Sequence, residues 1–506
     1  MALSLFVGGG GESYSTPQEL LLKYGNRHGL IAGATGTGKS VTLQILAEAF
    51  SNAGVPVFLS DIKGDMSGIA ASGSPEFKLH EAFVKRAETI GYTDFSYRSF
   101  PTIFWDLFGQ QGHPVRTTVS EMGPLLLSRL LELTDAQEGA VNIAFRVADE
   151  QGLPLLDLKD LQSLLVWVGE NAADLSLRYG NITRATIGAI QRQLLVLENQ
   201  GGSNLFGEPA LDLSDMMRTS IDGRGVVSVL ASDKLMQSPR LYATFLLWLL
   251  SELFEELPEV GDTDKPKIVF FFDEAHLLFR DAPKALIEKV EQVARLIRSK
   301  GVGIFFITQN PDDVPEVILG QLGNRVQHAL RAYTDNDLEA LRKAAATYRP
   351  NPRFKTDEAI REVGVGEAVT SFLEAKGAPS MVERTLIRPP VSQLGPLSPE
   401  QRQAVIASSP VTGKYEKTID RESAFEILAA RAAKAAEEAA KLEAAEAGER
   451  EYRHATDLHA DRPRSSRTKE KPGIFGEITS VVIKELKGTT GKRIVRGILG
   501  GLFKSR

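Results

Sequence analysis

Three short stretches of this 506-residue chain carry side chains suited to phosphate chemistry. The first is "GATGTGKS", which fits G-x-x-x-x-G-K-[ST] from Gly33 to Ser40. Gly33, Gly36 and Gly38 let backbone N–H groups converge on phosphate oxygens without interference from a Cβ. The apolar run "GLIAG" precedes the stretch and the helical pattern "SVTLQILAEAF" follows it. A strand, a glycine loop and a helix N-terminus in that order form an anion site. Lys39 is expected to reach the β- and γ-phosphates of a nucleoside triphosphate, and the Ser40 hydroxyl to ligate Mg2+. The expected nucleotide-lining set is Gly33, Ala34, Thr35, Gly36, Thr37, Gly38, Lys39, Ser40 and Val41.

The second stretch is "KIVFFFDEAH", 234 residues further on when measured from Lys39 to Asp273. Asp273 is the candidate magnesium ligand, and Glu274 the candidate base that polarises an attacking water. Two adjacent carboxylates at a buried strand end are costly unless a cation accompanies them. The third stretch, "GIFFITQ", ends in Gln309, whose amide can bond both a γ-phosphate and the attacking water. A further strand end, "DIKGD", sets out Asp61, Lys63 and Asp65. A functional role and a plain turn, with Gly64 bending the chain and the acids as caps, are both compatible with that motif. Phosphoryl transfer often uses an additional cation, and Arg325, Arg331 and Arg298 are candidates to supply one to a neighbouring subunit.

These residues need a scaffold, and the hydrophobic pattern describes one. Five apolar runs stop at polar residues: 29–33 at the glycine loop, 55–61 at Asp61, 225–233 at Asp233, 267–274 at Asp273 and Glu274, and 303–309 at Gln309. Runs rich in Val, Ile and Phe without alternation suit strands buried on both faces of a parallel sheet. Helical patterns between several of them point to a doubly wound α/β core. Ligands sit beyond the carboxyl ends of such strands, where the polar stops fall.

The expected organisation is residues 1–112 as the first part of the core, 113–221 as a helical insertion and 222–390 as the second part. That second part closes with a hairpin across "KGAPS". Residues 391–450 form a C-terminal segment and an Ala/Glu-rich helix, 451–472 a disordered linker and 473–506 a basic amphipathic tail. That tail carries +5 while the preceding residues sum to −11, giving a net charge of −6. Such a balance does not advertise a nucleic-acid coat, although an acidic exterior can enclose a basic channel. The absence of cysteine excludes disulfides and thiolate metal sites. His454 and His459 do not have convincing metal-site spacing. No run approaches the ~18 apolar residues of a membrane span. The N-terminus lacks the basic region of a signal peptide, so the expected location is cytoplasmic.

Taken together, "NRHGLIAGATGTGKSVTLQ", "LSDIKGDMSG", "KIVFFFDEAHLLF", "RLIRSKGVGIFFITQNPDDVP" and "LGNRVQHALRAYTDND" resemble the HerA–FtsK branch of P-loop motors. They look most like bacterial HerA-like proteins of the YjgR type. The resemblance spans roughly residues 20–425, including "SPVTGKYEKTIDRESAFE". It implies a RecA-like P-loop ATPase that uses ATP and Mg2+ and forms a homo-hexameric ring around DNA as a translocase or helicase. It also matches Gln309 to the branch's strand-end glutamine. For the arginine acting in trans it implies Arg331, carried on the following strand, and then Arg325, and it makes residues 391–426 a candidate brace against the next subunit. Relatives have an N-terminal β-barrel that docks a nuclease; the glycine loop here begins at residue 33, which argues against a nuclease partner. Two other outputs remain compatible: a motor of the same superfamily that moves protein, and a nucleotide-gated scaffold. For the basic tail, docking or self-association is expected ahead of membrane contact.

Overall fold

The apolar runs that stop at polar residues all enter one sheet. The computed structural model describes residues 3–261, 263–279 and 284–457. The strands are β1 (Ser4–Gly10), β2 (Thr16–Leu21), β3 (Gly29–Ala32), β4 (Val57–Asp61), β5 (Thr102–Asp106) and β6 (His113–Pro114). Then come β7 (Val227–Ala231), β8 (Ile268–Phe272), β9 (Val302–Thr308), β10 (Asn324–Gln327), β11 (Glu367–Ser371) and β12 (Glu383–Ile387). Among the described residues they form a 12-stranded sheet in the order β2-β1-β12-β11-β10-β3-β9-β8-β4-β7-β5-β6. From β10 to β6 every pairing is parallel, while β11, β12, β1 and β2 add an antiparallel flank. The architecture is therefore α/β with a mainly parallel sheet. Both margins contain a proline, Pro17 in β2 and Pro114 in β6. A missing ladder N–H is tolerated at an edge.

Strand order decides which ends meet. The chain leaves β3 and returns in β4, three positions away with β9 and β8 between. That crossover places β9 between the glycine-loop strand and the Asp273-Glu274 strand. Every residue of β8 and of β9 is buried, which their unbroken apolar sequences require.

Helix α1 (Lys39–Asn52) follows the glycine loop and packs on this sheet. Phe50 meets Phe305 edge-on at 5.9 Å and Phe271 at 6.2 Å, and those two rings stack at 5.1 Å. One aromatic cluster thus ties α1 to β8 and β9. Farther along the helix, Glu48 is fully buried. Its Oε2 takes the Arg388 Nη1 hydrogen at 3.0 Å. Its Oε1 accepts the Val391 and Ser392 N–H groups at 3.0 and 2.9 Å and the Ser392 hydroxyl at 2.7 Å. Arg388 also donates to the Ile45 carbonyl at 2.6 Å and the Phe6 carbonyl at 3.1 Å.

The first of two compact units holds this sheet: residues 1–145, 156–158 and 188–420. Within it, residues 391–420 run along their own chain. Buried Tyr415 sits edge-on to Trp105 at 5.3 Å and donates its hydroxyl to Asp215 at 2.6 Å. Arg402 lies over the Phe104 ring at 4.7 Å.

The second unit comprises residues 146–155, 159–187 and the chain from Arg421. Leu161, Leu164, Leu165 and Val168 are buried in it. Asp160 accepts the Phe425 N–H at 2.9 Å, fixing the start of a helix that spans Ala424–Asp457. Lys441 and Glu437 pair along it at 2.6 Å. The helix continues past residue 450 into the stretch read from sequence as linker. The rest of that linker, the basic tail and His459 lie outside the described residues. Among the described residues no helix is long and apolar enough to cross a membrane.

The Glu48–Arg388 pair sets a stability prediction. Arg388→Leu leaves a buried carboxylate without its cation, and should lower unfolding free energy by about 3–5 kcal/mol. The double substitution Glu48→Leu/Arg388→Leu should cost less than the sum of the singles. Chemical denaturation of the four proteins measures both terms.

Candidate active site

The carboxyl ends of β3, β9, β8 and β4 bring Gly33, Gln309, Asp273 and Asp61 to one edge. At β3 the backbone turns sharply, with Gly33 at φ 151°, Gly36 at 78° and Gly38 at 115°. Gly33 has a second constraint: a Cβ there would lie 2.5 Å from the His328 Cβ. The loop is braced from beneath. Gly33 N–H donates to the Thr308 carbonyl at 3.3 Å, Ala34 N–H to Ala329 at 2.8 Å, and Gly366 N–H to Thr37 at 3.1 Å. Gly38 caps α1 without any side-chain hydrogen bond. The first-turn N–H groups of the helix therefore lack the usual internal acceptor. Thr35 and Gly36 are exposed at the tip, and Ser40 and Val41 are half-buried in the first turn.

Lys39 folds across the loop, donating to the Gly33 carbonyl at 2.6 Å and the Ala34 carbonyl at 3.1 Å. Burial lowers its pKa, and the nearby Lys63 lowers it further, against the opposing pull of Glu274 and Asp273. His328, directly after β10, is fully buried behind the loop. Its Nδ1 faces the Glu367 carbonyl at 2.9 Å and its Nε2 faces the Thr42 hydroxyl at 2.8 Å. A carbonyl requires a donor, so Nδ1 carries the proton and Thr42 donates to Nε2. Burial chiefly drives the imidazole down to about 4, keeping it neutral. The motif reading does not include this support; its signal is the "QHA" triplet that begins with the last residue of β10.

The β8 end carries the two acids. Asp273 takes its place through Ser60, whose hydroxyl accepts the Asp273 N–H at 3.2 Å, while Tyr242 donates to Ser60 at 2.9 Å. Burial, and then the neighbouring Glu274, push the Asp273 carboxyl up to about 6. Glu274 has a left-handed backbone at φ 46°. Burial acts to raise its pKa, but Lys63 and Gln309 outweigh it and hold the net value below the ordinary range. Lys63 Nζ lies 2.9 Å from Glu274 Oε1. Gln309 Nε2 donates to Oε2 at 3.3 Å, and His276 Nδ1 lies 3.3 Å from the same oxygen. Gln309 is itself held by its flanks: Asn310 N–H and the Thr308 hydroxyl both donate to Asp313 Oδ2.

Lys39, Asp273, Glu274 and Gln309 thus occupy one end of the sheet, and Lys63 joins them. The arginines diverge. β10 ends at Gln327, so Arg331 is not on the strand where the resemblance put it. The chain leaves the ladder as Ala329 turns to receive the Ala34 N–H, and Arg331 lies exposed in the loop beyond. Arg325 is the strand residue, and its guanidinium is engaged by the carbonyls of Leu322 and Leu319 at 3.1 and 2.9 Å. Arg298 lies in a short 3-10 turn before β9.

Asp61 is buried, with Oδ2 accepting the Met66 N–H at 3.1 Å and Oδ1 unpartnered. Burial, then the Asp65 charge, push it up to about 7, against an ordinary 3.8. Between those values the folded state binds the proton more tightly than the unfolded chain. Its contribution to stability therefore declines as pH rises through that window, and the cost is complete above about 7. Asp61→Asn keeps an acceptor for Met66 and cannot ionise. It should stabilise the protein by about 1–3 kcal/mol at pH 8, with the gain shrinking towards pH 5, as read by thermal melts at both values.

Comparison with known families and structures adds the following. The family model described as helicase HerA-like C-terminal matches residues 10–506. No curated protein matches the chain. Among solved structures, the plasmid coupling protein TrwB bound to a non-hydrolysable GTP analogue is 15% identical, covers 75% of this chain and 89% of that one, and gives a TM-score of 0.49. VirB4 of Thermoanaerobacter pseudethanolicus is 16% identical over 79% of this chain and 98% of that one, with a TM-score of 0.48. The cytoplasmic domain of the type VII secretion ATPase EccC of Thermomonospora curvata is 15% identical over 83% and 33%, with a TM-score of 0.31. These TM-scores all lie below 0.5, so the functional reading rests on the family match and on the chain's own geometry.

Proposed function

This chain belongs to the helicase HerA-like C-terminal family, and on that premise we propose that it is an ATP hydrolase that assembles as a cytoplasmic six-membered ring and moves along DNA. The observation that carries the hydrolytic reading is Glu274, whose carboxylate ends β8 and takes a hydrogen bond from Gln309 on the neighbouring strand end. Gly33 to Val41 suit a triphosphate. The helix start has no side-chain cap, and nothing lies within 4 Å of where a Cβ at Gly36 would point. The Ser40 hydroxyl and the Asp273 carboxylate are hard oxygen donors of the kind that hold Mg2+ alongside water. When bound, Mg2+ neutralises charge on the β- and γ-phosphates.

In this reading Lys39 leaves the Gly33 and Ala34 carbonyls for the β- and γ-phosphates. Glu274 orients a water and takes its proton as the water attacks the γ-phosphorus, the bond from that phosphorus to the β,γ-bridging oxygen breaks, and ADP leaves with phosphate formed. Gln309 bonds that water and the γ-phosphate, so its position reports turnover to the chain beyond β9. Arg331, exposed beyond β10, is the first candidate to stabilise transition-state charge in an adjoining subunit. Arg325, bonded to its own chain, is the second choice.

Lys39→Ala should abolish binding of a fluorescent ATP analogue. Glu274→Gln should retain binding while turnover falls by about 10²–10⁴-fold, the range for loss of a general base. Normal turnover in Glu274→Gln removes the base assignment. Arg331→Ala should be inactive alone and should depress activity more than proportionally when mixed with the native chain; proportional activity removes the trans role.

The track is tested by ATPase rate with duplex DNA, single strands and RNA at several salt concentrations, on protein of measured mass. Duplex DNA should stimulate the rate, with stimulation falling steeply as salt rises. Indifference to every nucleic acid overturns the DNA reading and favours a motor that moves protein or a nucleotide-gated scaffold.

A further inference from the structure

The DIKGD turn supplies a cation that its sequence left without an assigned role. Lys63 Nζ is 2.9 Å from Glu274 Oε1, and the two side chains are 44% and 9% exposed. The carboxylate is thus nearly enclosed, while the ammonium reaches it from the rim. Of the three groups facing Glu274, Lys63 is nearest and carries a full charge; Gln309 and His276 stand at 3.3 Å. A charge-assisted hydrogen bond of this length is roughly twice as strong as a neutral one.

The turn bearing Lys63 is built as a fixed mount. β4 pairs with β8 up to Ser60 opposite Phe272, so the two strand ends emerge side by side. Asp61 Oδ2 then bonds the Met66 N–H at 3.1 Å and closes the turn at its base. The Ser67 hydroxyl donates to the Gly64 carbonyl at 3.3 Å, and Ser67 Oγ accepts the Leu397 N–H at 3.0 Å. Glu274 meets this mount from a left-handed backbone, φ 46°, which turns its side chain out of the alternation of β8.

We propose that Lys63 is a positioning residue for Glu274: its ammonium holds the carboxylate at the mouth of the nucleotide site and so aims it at the water. It acts through Glu274 and does not touch phosphate. The inference rests on the reading of Glu274 as the base.

The full-length chain tests it through steady-state ATPase kinetics and through binding of a non-hydrolysable ATP analogue with Mg2+. Lys63→Ala should lower kcat by about tenfold or more, with KM and analogue affinity within about twofold of native. Lys63→Arg should restore kcat to within about threefold of native, whereas Lys63→Gln, which lacks the charge, should not. In a Glu274→Gln background, Lys63→Ala should slow turnover no further. Matching thermal melts for the variants establish that each is folded.

Several results overturn the proposal. An unchanged kcat denies Lys63 any role. A raised kcat makes it a restraint that turnover must break. Loss of analogue affinity by tenfold places it on phosphate, and failure of Arg to rescue makes its role one of shape. If Glu274→Gln turns over at the native rate, the base assignment and this inference fall together. If Glu274→Gln is slow and Lys63→Ala is not, this inference alone fails.

Discussion

Negative charge crowded at a dry sheet edge is the constraint around which this molecule is arranged. Asp61, Asp65, Asp273 and Glu274 emerge from two adjacent strand ends, and three of them are buried. The first is raised by burial and by Asp65, the third by burial and by Glu274. At an effective dielectric near 20, two unit charges about 4 Å apart interact by roughly 4 kcal/mol, so the edge is tolerable only with compensation. Lys39 and Lys63 supply part of it within the chain. A nucleotide-bound divalent cation would supply more, which makes the apparent extravagance of the edge consistent with a binding site.

Much of that edge was legible in the sequence, for a definite reason. Strands buried on both faces read as unbroken apolar runs, and their polar terminators mark where the sheet opens to ligand. The runs ending at Ala32, Asp61, Phe272 and Thr308 therefore disclosed the strands and the edge at which their polar terminators gather. β1, β2, β5 and β6 carried no such mark. Three of the seven residues of β1 are glycine, with Gly8 and Gly9 packed against neighbouring backbone, so burial there comes from close approach rather than side-chain bulk. β2 and β6 are polar, proline-containing margins. β5, "TIFWD", has only three apolar residues before its polar stop at Asp106, and no loop motif follows to mark it.

Side-chain partnerships across the fold were not legible at all. Nothing in "DIKGD" indicates that Lys63 will meet a carboxylate more than two hundred positions later. That contact follows from strand order, since β4 lies beside β8. His328 is similar. It is a lone histidine after a short strand until the ladder sets it behind the glycine loop, where burial keeps it neutral and its two nitrogens take fixed roles. The arginines show the reverse error. The resemblance put Arg331 on a strand, but the strand ends at Gln327, because the backbone beyond it turns to brace the loop.

That bracing also explains why α1 is held by polar bonds as well as by rings. Phe50, Phe271 and Phe305 would fix the distance of the helix from the sheet, but stacked rings tolerate sliding along the helix axis. A slip of one residue would move the Gly38 cap and the Lys39 stem by about 1.5 Å. Glu48 meets four donors and Arg388 reaches three carbonyls, including one on α1 itself. Directional bonds of that number admit one register. The network costs desolvation, and what it secures is the alignment of the glycine loop with a carboxylate beyond the end of a different strand, a tolerance that a hydrolytic site would require.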